Sequence, residues 1–238
     1  MSMQAIQKRV SGRLLASKKR HAEKSEFSLH SGRSPHRNQL ETYIAERYEQ
    51  AHNASISSFM PILLEMTREG ESQAALGLRP GHHRPMFLEQ YLDSPIEQQI
   101  AKFSKQPIDR CALIEVGNLA VTHRGAGLLL FVILTMLAAE ASYVWMIFTV
   151  TEEVEKLIRK LGFDLHYLIA ADPARVKGGT ENWGRYYDNN PRVMVGSLEQ
   201  AVSVMKNSPA LSAVLEDYRQ EITMVSSSLS DYRRLADR

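Results

Sequence analysis

Residues 114–163 decide the fold: IEVGNLAV (114–121), THRGAG (122–127), a long apolar run, FTVT (148–151) and KLIRKLGF (156–163). The stretch reads as strand, glycine-rich turn, buried helix, strand and amphipathic helix. A strand that feeds a glycine turn at a helix N-terminus presents unpaired backbone N–H groups at the positive end of the helix dipole. Such a corner suits a phosphate or pyrophosphate. The two glycines admit close backbone approach, and Arg124 adds positive charge.

Working outward, HRNQLETYIAERYEQAHN (36–53) places Leu40, Tyr43, Ile44, Tyr48 and Ala51 at helical spacing. FMPILLEM and QAALGLRPG read as two strands around REGES, an antiparallel hairpin. MFLEQYLD (86–93) reads as a further extended run, and SPIEQQIAKF opens a helix with a Ser cap and Pro at its first position. TEEVEKLIRKLG has a Thr cap, an acidic first turn and a Gly stop. WGRYYDNNPRVMVG suggests one or two short final strands around Asn-Asn-Pro, followed by a helix in SLEQAVSVM.

Residues 126–150 would attract a hydropathy scan, but Glu140 interrupts them and the second half is β-branched and aromatic. Each half is shorter than the roughly 20 residues that a spanning helix needs. A core helix followed by a core strand is the expectation. The charged N-terminal residues are followed by no apolar core segment, so no secretory signal is expected; Cys111 is the only cysteine, so no internal disulfide forms, and a cytoplasmic setting is expected.

The net charge of +2 is unevenly spread. Residues 1–40 hold nine Lys/Arg against Glu23 and Glu26, while the remainder is net acidic. A basic arm over 1–34 is expected to be a flexible, solvated tail; as a contact it would suit an acidic carrier protein or an anionic membrane surface. Its charges lack interleaved aromatics, so nucleic acid is not an expected partner. From 207 to 238, Leu211, Leu215, Tyr218, Ile222, Val225, Leu229 and Tyr232 recur at alternating spacings of four and three. That heptad seam wants a partner: the arm, the same helix of a second copy in a homodimer, or the surface of its own domain. The chain thus divides into an arm (1–34), a central domain (35–206) and a heptad-patterned helix (207–238).

Glu115 stands inside the apolar strand IEVGNLAV, where a carboxylate is costly unless paired or functional; Arg110 is the candidate ion partner. Asn118 is the next polar residue on that strand. Glu89 and Tyr91 from MFLEQYLD, with Thr149, Trp183, Tyr186 and Tyr187, suggest a polar-aromatic rim for a second substrate. His82-His83 has no further ligand set at metal spacing, so no metal is expected.

The order and spacing over 114–163 resemble the acyl-CoA-binding half of the GCN5-related N-acetyltransferase (GNAT) fold. Thr122-His123-Arg124-Gly125-Ala126-Gly127 matches both glycines of that family's Gln/Arg-x-x-Gly-x-Gly/Ala turn and departs from it at Thr122. The resemblance implies an α/β fold with a mixed, mostly antiparallel sheet flanked by helices, plus a long C-terminal helix. It also implies a thioester donor, acyl-CoA or acyl carrier protein, held by Leu119, Val121 and the turn from Thr122 to Gly127, with no tightly bound cofactor. Glu115 would deprotonate an amine acceptor, helped by Asn118 and Glu89, with Tyr91, Thr149, Trp183 and Tyr187 binding it. The family's usual proton-donating Tyr is absent, because Ile158 occupies its place in LIRKLGF.

FMPILLEM, FLEQYLDSPIE, IEVGNLAV, FTVT, ADPARV and WGRYYDNNPRVMVG, in that order, further resemble the bacterial thermostable hemolysin family over roughly 35–205. That family is similar to acyl-homoserine-lactone autoinducer synthases. Its name sets a membrane-active hemolysin beside the acyltransferase as an alternative, and the missing Tyr sets an inactive binding module beside both.

Overall fold

The computed structural model describes residues 24–83 and 85–234. Seven strands are formed among them: β1 (Glu26–His30), β2 (Ile62–Arg68), β3 (Glu71–Pro80), β4 (Leu113–Val121), β5 (Trp145–Val150), β6 (Leu165–Ala170) and β7 (Arg192–Ser197). They build one sheet in the order β1-β2-β3-β4-β5-β7-β6. The β4–β5 pair is parallel and the other neighbours are antiparallel. This is the mixed, mostly antiparallel sheet expected from the sequence.

Seven α-helices flank the sheet among the described residues: α1 (Arg37–His52), α2 (Ile96–Ser104), α3 (Arg124–Glu140), α4 (Glu152–Lys160), α5 (Leu198–Asn207), α6 (Pro209–Asp217) and α7 (Arg219–Arg234). The run 126–150 divides into α3 and β5 as its composition dictates. No helix among the described residues is long and apolar enough to cross a membrane.

Because α3 is apolar nearly all round, it is buried by helices on its outer side as well as by the sheet. Leu130, Ile133, Leu134 and Leu137 of α3 join Ile62, Leu64, Leu76, Ile114, Phe148 and Met194 of the strands in the main core. The opposite sheet face carries two smaller cores. Leu40, Ile44 and Tyr48 of α1 pack on Leu63, Ala75 and Ala120 in one. Met86, Leu88, Tyr91, Ile96 and Ile100 pack on Leu113, Ile147, Val193 and Val195 in the other.

Several expectations are corrected here. The basic arm does not extend to residue 34, because Glu26–His30 is an edge strand with Phe27 opposite Met66 and Leu29 opposite Leu64; most of the arm lies outside the described residues. MFLEQYLD is not extended: Phe87–Tyr91 is a 3-10 turn, because the Glu89 carboxylate folds back to accept from Met86 N at 2.9 Å. Pro95, not Ser94, flanks the start of α2, and Ser94 Oγ accepts from Gln99 Nε2 instead. WGRYYDNN forms 3-10 turns, Glu181–Trp183 and Tyr187–Asn189, and only the residues after Pro191 make a strand. The edge strand β6 has no counterpart in the sequence reading, since only Leu165 in it is buried and its alternation is faint.

The heptad seam is not one helix. Tyr218, at φ −108° and ψ 15°, separates α6 from α7. Leu211, Val214, Ile222 and Leu229 are buried in the main core, and Leu215, Tyr218, Val225 and Tyr232 pack against it. The seam's partner is therefore the chain's own domain. Polar fastenings accompany it: Ser226 Oγ donates to Glu140 Oε2 at 2.9 Å, and Arg233 Nε donates to Cys111 O at 2.9 Å.

Candidate functional site

The sheet opens at its centre. β4 and β5 are paired from Leu113↔Trp145 to Val116↔Phe148 and no further. β4 nevertheless runs on to Val121, and β5 stays paired with β7 as far as Val150↔Arg192. The two strands diverge as the arms of a fork.

A bulge in β4 causes the divergence. Ala75 faces Ala120 and Gly77 faces Gly117, so β4 carries an extra residue over this interval. Asn118 takes up the slack at φ 48°, a left-handed conformation that Asn tolerates better than most residues. Its Oδ1 accepts from Met60 N at 2.9 Å, and its Nδ2 donates to Ser58 O at 3.3 Å. A Cβ at Gly77 would sit 2.5 Å from Met60 Cβ, and one at Gly117 would sit 2.7 Å from Met60 Cε. Both glycines are needed for the 58–60 segment to close on the bulge. Asn118 is thus the residue that holds the fork open; its side chain is committed to backbone.

Beyond the bulge, Thr122 N donates to Gln73 O of β3 at 2.9 Å. Strand amides alternate in direction, so those of Leu119 and Val121 point to the other edge, into the fork. The THRGAG turn closes the open end. His123 caps α3, its Nδ1 accepting from Ala126 N at 3.1 Å. A Cβ at Gly127 would lie 2.9 Å from Val121 Cγ1, so that glycine lets the helix start against the strand. Arg124 forms an exposed ion pair with Glu153. Tyr43 OH and Thr122 Oγ1 are 3.0 Å apart, at the rim of a polar groove of about 460 Å³ between α1 and the start of β3. An anion at the turn would meet the first-turn amides and replace the His123 ring on that of Ala126.

Glu115 lies two residues before the fork on the face away from α3, and only 2% of it is exposed. Its Oε1 accepts from Leu88 N at 2.8 Å and its Oε2 from Phe87 N at 2.9 Å. Arg79, its cross-strand neighbour on β3, brings Nε to 3.7 Å of Oε2. Burial nevertheless dominates over these donors and pushes the carboxyl up to about 7. A buried carboxyl poised near neutrality can take a proton from an amine and return it.

The expected partner, Arg110, is engaged elsewhere. It holds Glu89 through two contacts of 2.7 Å, Glu97 at 2.6 Å and Gly81 O at 2.7 Å. Glu89 also accepts from Met86 N and Ile96 N. Burial alone would raise Glu89, but the Arg110 hydrogen bond and the two amides hold it below its ordinary value. Glu89 is a strut that fixes the Phe87–Tyr91 turn under Glu115.

The aromatic rim assembles as a group. Tyr91 is fully buried, and its hydroxyl lies 2.6 Å from that of Tyr187. Trp183 packs against Phe87, with ring centroids 5.7 Å apart, and against Tyr187 at 6.0 Å. Tyr186 OH donates to Thr149 O at 3.4 Å, on the first β5 residue past the parallel pairing. The segment is seated on the end of α1 by Arg185 N→His52 O at 2.7 Å and Ser55 N→Asn182 O at 2.8 Å. Glu115, Tyr91, Thr149, Trp183 and Tyr187 therefore share one face beside the fork. Sequence reasoning overlooked Arg79, legible only once β3 is set in register against β4, and Phe87, whose backbone rather than its side chain does the work. Among the described residues no group of three or more His, Cys, Asp or Glu side chains is placed to hold a metal ion.

A family model described as "Thermostable hemolysin" matches residues 30–202. Among solved structures, the acyl-homoserine-lactone (AHL) synthase LasI is similar, with a TM-score of 0.53 at 9% identity over 77% of this chain and 95% of that one. FeeM, an N-acyl amino acid synthase from uncultured soil microbes, gives 0.53 at 11% identity over 80% and 98%. BjaI, a CoA-dependent acyl-homoserine lactone synthase solved with SAM and isopentyl-CoA, gives 0.52 at 11% over 80% and 99%. No curated protein matches. At these identities the likeness to solved structures is one of fold, the GNAT-like fold of the synthases.

Proposed function

The chain belongs to the thermostable hemolysin family, and from that premise we propose that it is an acyltransferase moving an acyl group from a thioester to an amine. The observation that carries the reading is the fork between β4 and β5 with Glu115 beside it. The donor, acyl-CoA or the phosphopantetheine of an acyl carrier protein, lies along the far edge of β4. Its phosphate meets the amides at the head of α3, and its carbonyl accepts from the Leu119 or Val121 amide, which stabilises the oxyanion as it forms. The amine enters on the Trp183–Tyr187 side and loses its proton to Glu115. An acidic carrier protein suits the basic residues that precede β1.

Mass spectrometry of lipids and small amines from cells expressing wild type and Glu115→Gln tests this. An N-acylated amine present with wild type and lost with the variant is the expected result. The family's name supports a second reading, direct action on membranes. Leakage of liposomes caused equally by wild-type and Glu115→Gln protein, with no thioester present, would favour it over acyl transfer.

A further inference from the structure

Ile158 is 3% exposed and embedded in the main core on α4, so the helix position that offers a hydroxyl in the resembling GNAT enzymes offers none here. The leaving thiolate then takes its proton from another side chain or from solvent. On the other face of the fork, Tyr91 and Tyr187 bring their hydroxyls to 2.6 Å. Tyr91 is fully buried among Met86, Leu88, Ile96 and Ile100. If Tyr187 were the donor, the Tyr91 proton would be left in an apolar core without an acceptor. That favours Tyr91 as the donor, which leaves the hydroxyl proton of the half-buried Tyr187 free for another acceptor.

We infer that Tyr187, oriented by Tyr91, is the proton donor to the sulfur of the departing thiol. The inference rests on the acyltransferase reading and adds a residue to it. The amine nitrogen adds to the thioester carbon, the C–S bond breaks with its electron pair on sulfur, and the Tyr187 proton passes to that sulfur. Glu115 takes the proton shed by nitrogen and returns one to the Tyr187 phenolate through solvent, leaving an amide and a free thiol. Burial raises Tyr187 on balance, and the bond donated by Tyr91 offsets part of that rise. The Phe87–Tyr91 turn joins the two halves, since its first amides hold Glu115 and its last residue holds Tyr187.

The test compares wild type, Tyr187→Phe and Tyr91→Phe on a hexanoyl donor series from hexanoyl-CoA to S-aryl hexanoates of falling thiol basicity. The amines are a mixture of the common amino acids and spermidine. Tyr187→Phe should lose about 100-fold in kcat on hexanoyl-CoA, the low end of general-acid effects. The deficit should shrink steadily as the leaving thiol becomes more acidic. Tyr91→Phe should show the same trend with a smaller deficit, and Tyr167→Phe, on the exposed face of β6, should match wild type. Equal losses across the series in Tyr187→Phe, with its melting temperature unchanged, would overturn the role while leaving acyl transfer standing. Absence of wild-type turnover of hexanoyl-CoA and hexanoyl-acyl carrier protein alike would overturn acyl transfer and the inference together.

Discussion

At the scale of single residues, the molecule buries a carboxyl beside the fork. Glu115 is raised to about 7 from an ordinary value of 4.5, chiefly by burial. Two consequences differ in sign. In its proposed role as base the carboxylate must be ionised, so kcat/KM should fall about tenfold per pH unit below an apparent pKa near 7. Glu115→Gln should flatten that limb and lower the rate by roughly 10²–10⁴-fold. For stability, a carboxyl raised on folding binds its proton more tightly in the folded state. The stability this confers is complete below pH 4.5 and is lost as pH climbs through 7. Wild type should therefore lose melting temperature over that window relative to Glu115→Gln, read by calorimetry at matched ionic strength. Glu115 was legible in the sequence because a lone carboxylate in IEVGNLAV must be paired or functional, but its partners, the Phe87 and Leu88 amides and Arg79 rather than Arg110, were not. Glu89 was misread for a physical reason: its strand-like context hid a turn that its own side chain creates.

At the scale of elements, the fork is made by one surplus residue in β4 and by the absence of side chains opposite it. Gly77→Ala would place a methyl 2.5 Å from Met60 Cβ and 2.7 Å from Asn118 Oδ1. Relieving that contact means moving the 58–60 segment or straightening the bulge, at a cost of about 1–3 kcal/mol. The expected outcome is a lowered urea midpoint together with weaker donor binding, measured by titration with CoA; lost stability with unchanged donor binding would show that the bulge does not govern the fork. Strand, turn, helix and strand over 114–151 were readable because period and punctuation agree there. The bulge was not, since nothing local in GNLA announces that Asn118 will adopt a positive φ; the requirement comes from β3 and from Met60.

At the scale of the whole molecule, the main core is closed by residues distant in sequence from its strands. Leu211, Val214, Ile222 and Leu229 are all buried. At about 1.5–3 kcal/mol for each buried aliphatic side chain, their loss is comparable to the roughly 5–15 kcal/mol that holds a domain folded. A chain ending at Asn207 should therefore be insoluble or molten by near-UV circular dichroism. Leu229→Ala should cost about 2–5 kcal/mol while leaving the pH limb of activity in place. The heptad pattern revealed that this segment needs an apolar partner; it left the partner's identity open, because a seam of Leu, Ile and Tyr fits a second helix or a first domain equally well. The answer bears on biosynthesis. Since α6 and α7 are translated after every strand that they cover, the part of α3 that α5 leaves uncovered stays bare until they leave the ribosome. A nascent polypeptide of this kind must shelter a greasy flank for the length of its elongation, which makes holding chaperones a natural requirement for its high-yield expression.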